Sequence, residues 1–168
     1  MQGTKVLIEA FGRLPELVAG AVEGLSPEQL RQAPAAGANT IGWLVWHLTR
    51  VQDNHVTELI GGEEVYASGG WAVLFGLPAD STDTGYGHTP EQVAAVAPET
   101  SQALLNYYAA VHERTLDYLR GLSDDDLDRV VDKNWDPPVT LAVRLVSVYD
   151  DDAQHAGQAA YVRGLLGI

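Results

Sequence analysis

Four stretches of this chain repeat apolar residues at three- and four-residue steps, and nowhere does an apolar–polar alternation last beyond four residues. The first runs through Val6, Leu7, Ala10, Phe11, Leu14, Leu17, Val18, Ala21 and Val22. Pro15 is expected to interrupt and kink it, and Gly24 to end it. Thr40 opens the second, with Ile41, Leu44, Val45, Leu48, Val51 and Leu59 on one face and Gly61-Gly62 as the stop. The third follows Pro98, carries Leu104, Leu105, Tyr108, Val111, Leu116 and Leu119, and ends at Gly121. Val139 to Leu166 forms the fourth, launched after Asp136-Pro137-Pro138. Four helices with one apolar face each, and no strand pattern, predict an all-α four-helix bundle. At 168 residues, one domain over 1–168 has enough chain to bury a core.

The connections add detail. Ser26-Pro27-Glu28-Gln29 reads as a capping box with proline at the first helical position, and Thr89-Pro90-Glu91-Gln92 opens another short helix. From Gly61 to about Pro90 the chain is Gly-rich and lacks helical period, which suits a long crossover between the second and third helices. Trp71 and Phe75 inside it predict a packed cover. Gly24-Leu25-Ser26-Pro27-Glu28-Gln29-Leu30 echoes Gly121-Leu122-Ser123-Asp124-Asp125-Asp126-Leu127. This is either the trace of two related halves or two helix ends using common stop and cap chemistry.

Several function classes fall away on composition. With no cysteine, the chain has no disulfide, thiolate metal site or sulfur nucleophile of its own; sulfur ligation is left to Met1 or a bound thiol. A formal charge of −13 with ten Lys and Arg cannot build the basic stripe that nucleic acid requires, and it disfavours anionic membranes. Glu9, Arg13 and Glu16 break the N-terminal apolar stretch, so no signal peptide is visible, and no apolar run spans a bilayer. A cytoplasmic protein is expected.

Chemistry concentrates on the fourth helix. Asp151 and His155 are four residues apart, which turns the pair only ~40° and lifts it ~6 Å, so both side chains reach one point. Asp150 and Asp152 lie ~100° to either side and are poorer partners. On spacing alone, an ordinary surface Asp–His pair fits as well. His47 is set among Trp43, Leu44, Val45, Trp46 and Leu48, where an imidazole needs a partner on each nitrogen or a metal on one. Two histidines and a carboxylate from facing helices would make a site for a divalent ion of Zn, Ni, Mn or Fe type, with open positions. His55 lies ~12 Å further along its helix than His47 and cannot easily share that ion. His112 is either a hydrogen-bonded core histidine or a contact near the site, and His88 is expected in solvent.

Thr40-Ile41-Gly42-Trp43-Leu44-Val45-Trp46-His47-Leu48 resembles the ligand-histidine helix of the DinB-like superfamily of four-helix metalloproteins. The segment from Asp151 to Gly164 resembles its C-terminal helix, and the likeness is greatest to the branch of mycothiol-dependent maleylpyruvate isomerase and thiol S-transferases. The resemblance implies that His47, Asp151 and His155 hold the metal, zinc or nickel first, with a carboxylate where many relatives carry histidine. It also implies that a low-molecular-weight thiol such as mycothiol or bacillithiol binds the open position and attacks a small electrophile. The chain ends with the fourth helix, without the isomerase's additional domain, so maleylpyruvate is not the expected substrate.

Gln158, Tyr161, Arg163, His112 and Trp71 are the candidate contacts around such a site; no catalytic side chain is identified. Three functions follow from these readings. The first is a thiol S-transferase. The second is a non-enzymatic, homodimeric stress or binding protein with a structural or vestigial metal. The third is a metallohydrolase, whose general base would have to be Asp150 or Asp152.

Overall fold

The computed structural model describes residues 2–80 and 82–168, so Met1, the one candidate sulfur ligand, lies outside the described residues. Its long helices are α1 (Gly3–Val22), α3 (Ile41–Ile60), α7 (Ser101–Arg120) and α8 (Leu141–Leu166). Short helices α2 (Pro27–Leu30), α4 (Val65–Ser68), α5 (Trp71–Leu74) and α6 (Pro90–Ala95) sit in the connections. α8 packs on α1 and α3, and α7 packs on the same two helices, which makes the expected all-α bundle. Phe11, Leu14, Val18, Leu44, Leu48, Leu104, Leu145 and Ala159 fill its centre. Among the described residues no helix is long and apolar enough to cross a membrane.

Local chemistry sets the helix starts. Thr40 accepts from the Trp43 N–H (3.1 Å) and Thr140 from that of Val143 (3.4 Å), each satisfying a donor at a helix N-terminus. The expected capping box forms at Ser26/Gln29, and the short helix expected after Thr89 is opened by a second one, Thr89/Gln92. The echo segment at Ser123 behaves differently: its N–H and hydroxyl both donate to Asp126 and it leads into a short 3-10 turn, Asp125–Asp128.

Three expectations need correction. α1 continues as one helix through Pro15, because the half-buried proline removes a single N–H from a helix otherwise fixed by its packed face. A small antiparallel pair exists, β1 (Val130–Asp132) with β2 (Val139–Thr140), in the register Val130 opposite Thr140. Strands of three and two residues are too short for alternation to reveal. The crossover also holds two single helical turns, α4 and α5.

Beneath the crossover lies a network of buried charge. Arg50 is fully buried, 2.8 Å from Glu64 and 3.6 Å from Asp53, and donates to the Tyr107 hydroxyl (3.3 Å). Its guanidinium also lies over the Tyr66 ring, 4.3 Å from the centroid. Asp53 accepts from the backbone N–H groups of Val65 and Tyr66 and from the Tyr107 hydroxyl. This network fastens α4 to α3 and α7.

Candidate metal centre

His47 on α3 meets Asp151 and His155 on α8 where the two helices pack. Each residue offers one ligand atom, and these atoms all lie within 4.8 Å of one another. The imidazole planes of His47 and His155 stand edge to face, with centroids 4.8 Å apart. Each ring has one nitrogen already committed. His47 Nδ1 lies 2.5 Å from the Thr84 carbonyl oxygen, a geometry in which Nδ1–H donates and Nε2 keeps its lone pair. His155 Nδ1 lies 2.7 Å from Gln158 Oε1, which leaves Nε2, 3.5 Å from Asp151 Oδ1. Asp151 Oδ2 is buried with no hydrogen-bond partner. Two imidazoles, each held through its other nitrogen, and an orphaned carboxylate oxygen therefore converge, the donor set a borderline divalent cation takes.

The two imidazoles are tuned in opposite directions. Burial holds the His47 pKa below its ordinary value, which favours the neutral, ligating form. The hydrogen bond to Asp151 raises that of His155. Asp152, next along the chain, is fully buried with neither oxygen partnered, and desolvation and then the neighbouring Asp151 carboxylate push its carboxyl far above the usual range.

The crossover holds His47 in place. Trp43 stacks on the His47 ring (centroids 4.6 Å, planes 10° apart) and donates its indole N–H to His88 Nδ1 (3.1 Å). His88 Nε2–H in turn donates to Asp83 Oδ1 (2.8 Å), which also accepts from the Gly85 N–H (2.9 Å). The Asp83 carbonyl accepts from Arg50 Nε (3.1 Å). This chain presents the Thr84 carbonyl to His47. His88 is thus buried at the side chain, contrary to its expected place in solvent.

Gly85 closes the strap at φ +89°, and a Cβ there would sit 2.9 Å from both His47 Nδ1 and the Trp46 ring. Gly85→Ala is therefore expected to displace the strap and weaken metal affinity about 10–100-fold, measured by competition with a chromophoric chelator. Wild-type affinity in that variant would show that the strap does not orient the ligand.

Beside the triad runs a groove of about 700 Å³ between α3, α8, the β1–β2 hairpin and residues 82–86. His47 and Asp151 line it together with Asn54, His55, Tyr86, Trp135 and Arg144. His55 does not join the triad, as expected, but shares its groove.

The other candidates divide. Gln158 contacts His155 directly. Tyr161 is 68% exposed and lines no part of the groove. Arg163 donates to the carbonyls of Gly20, Glu23 and Ile168, fastening the end of α8 to that of α1. Trp71 packs on Tyr107 (5.4 Å), as does Phe75 (5.7 Å), so these aromatics close the core over α7 and the groove takes its cover from residues 82–86.

His112 lies in a separate depression on α7, stacked on Tyr108 and 3.3 Å from its hydroxyl. Burial lowers its pKa, so the unfolded chain takes up this proton more readily than the folded one. Its contribution to stability is complete above about pH 6.5 and is lost as pH falls toward the depressed value. Urea denaturation of His112→Gln across pH 5–7.5 is expected to show a shallower acid-side decline than wild type; parallel curves would contradict this.

A helical bundle that brings a histidine of its second long helix against a carboxylate and a histidine of its last has the architecture of the DinB-like class. The sequence model of the Mycothiol-S-transferase family matches residues 6–167, and the chain belongs to that family. A solved structure described as a conserved protein of locus from Enterococcus faecalis is similar over 100% of this chain and 99% of its own, with 35% identity and a TM-score of 0.90. No curated protein matches the sequence.

Proposed function

We propose that the protein is a divalent-metal-dependent S-transferase that joins a small-molecule thiol, mycothiol or a similar compound, to a small electrophile. The observation that carries this reading is the partnerless Asp151 oxygen beside two imidazoles whose other nitrogens are fixed, opening onto a groove. His47, Asp151 and His155 would hold the ion, zinc or nickel first. Bound there, the metal supplies Lewis acidity that lowers the pKa of a thiol in its coordination sphere.

The chain's own residues orient and shield. Thr84 and Gln158 fix the two rings and raise their basicity, and Trp43 covers the His47 face. Because the sequence has no cysteine, the sulfur nucleophile comes from the bound thiol. A hydrolase is less well supported: neither Asp150, engaged by Gln154, nor the buried Asp152 lines the groove as a general base.

Metal-loaded protein is expected to consume mycothiol in the presence of an alkylating test electrophile, and chelator-treated protein to lose that activity. Full turnover by the stripped protein would overturn the reading.

A further inference from the structure

The groove beside the triad has two features that the handling of a thiol leaves unexplained. The first is aromatic. Tyr86 is 93% exposed and Trp135 67%, and both line the same groove although they come from distant segments, the crossover strap and the β1–β2 turn. A single exposed aromatic is ordinary; two on one groove beside a candidate metal centre are not. Val51, Val143 and Val148 extend the apolar wall toward Asp151. At about 700 Å³ the groove has room for a thiol and a ring-sized partner together.

The second feature is charge. Among the described lining residues other than the metal-binding Asp151, Glu58 and Asp132 are acidic, and Arg144 is the only Lys or Arg. Its guanidinium is occupied, 2.8 Å from Glu58 and 3.3 Å from Asp132, and it donates to His55 Nδ1 at 3.0 Å. That bond leaves His55 neutral, and burial together with Arg144 lowers its pKa further. An incoming carboxylate would have to displace one of these acidic partners and face the other.

Resting on the S-transferase reading, we propose that the groove selects electrophiles with an uncharged, planar aromatic body, held against Trp135 and Tyr86, and discriminates against anionic ones. The ring stacks on the exposed aromatics while its reactive carbon points along the valine wall to the triad.

The test is calorimetric titration of the metal-loaded full chain with two unreactive probes, neutral 4-nitrobenzyl alcohol and anionic 4-nitrobenzenesulfonate. A sulfonate is chosen because it is a poor metal ligand. The neutral probe is expected to bind at least about tenfold more tightly than the anion. Trp135→Ala and Tyr86→Ala are each expected to weaken it about five- to tenfold, and Trp135→Phe to restore most of the loss. Equal affinity for the two probes, or alanine variants that bind like wild type, would overturn the proposal. Because the measurement uses neither thiol nor turnover, it can fail while thiol transfer stands, and it can succeed in a protein that transfers no thiol.

Discussion

His47→Ala is expected to abolish stoichiometric metal binding while leaving the protein folded. Elemental analysis of the wild type should find about one divalent ion per chain, and the variant close to none. A two-histidine, one-carboxylate site that loses one of its imidazoles keeps only the Asp151–His155 pair, a weak chelate on one helix. Asp151→Asn and His155→Ala should lose metal in the same way. Because the three residues act as one unit, double variants should be no worse than single ones. Circular dichroism should stay helical in all of them, since Asp151 and His155 are partly exposed and His47 is one side chain in a large core. Unchanged metal content in His47→Ala would remove the triad from consideration.

Arg50→Met is expected to produce the largest loss of stability, about 3–5 kcal/mol by urea denaturation. The guanidinium is fully buried between two carboxylates, so its removal leaves Asp53 and Glu64 facing one another without a cation. Arg50→Lys should recover little, because an ammonium cannot reach Glu64, the Tyr107 hydroxyl and the Asp83 carbonyl at once. The same substitution should reach the metal site. Arg50 anchors the Asp83 carbonyl, one residue before the Thr84 carbonyl that fixes His47, so metal affinity should fall about tenfold even where the protein remains folded. A stable Arg50→Met variant would show that the buried charges repack or neutralise at little cost.

How much of this was legible in the sequence depended on the range of the interaction. Helical periods and caps are local, so the four long helices, the stops at Gly61 and Gly121, the capping box at Ser26 and the short helix after Thr89 all stand close to where the residues place them. The Asp151–His155 pair is local too, and its four-residue spacing predicts their shared direction. His47 reaches them across the bundle; its apolar setting makes it a candidate third ligand, but the meeting itself rests chiefly on the family resemblance.

The strap was invisible for a physical reason. Asp83, Thr84, Gly85 and His88 act through contacts 33 to 45 residues away along the chain, to Arg50, His47 and Trp43, and a loop without period carries no sign of them. The dense aromatic and glycine content drew attention to Trp71 and Phe75, which serve the core. Arg50, Asp53 and Glu64 read individually as polar residues on a helix or in a loop. Their burial follows from mutual pairing, which no single position reveals.

The most direct test of the central claim is X-ray absorption at the metal edge of the loaded protein, before and after addition of thiol. Without thiol the spectrum should show the outer-shell scattering of two imidazoles and nitrogen or oxygen donors at about 2.0–2.2 Å. With thiol, a sulfur shell should appear at about 2.3 Å. A first shell without imidazole scattering, or one that gains no sulfur when thiol is added, would contradict the account.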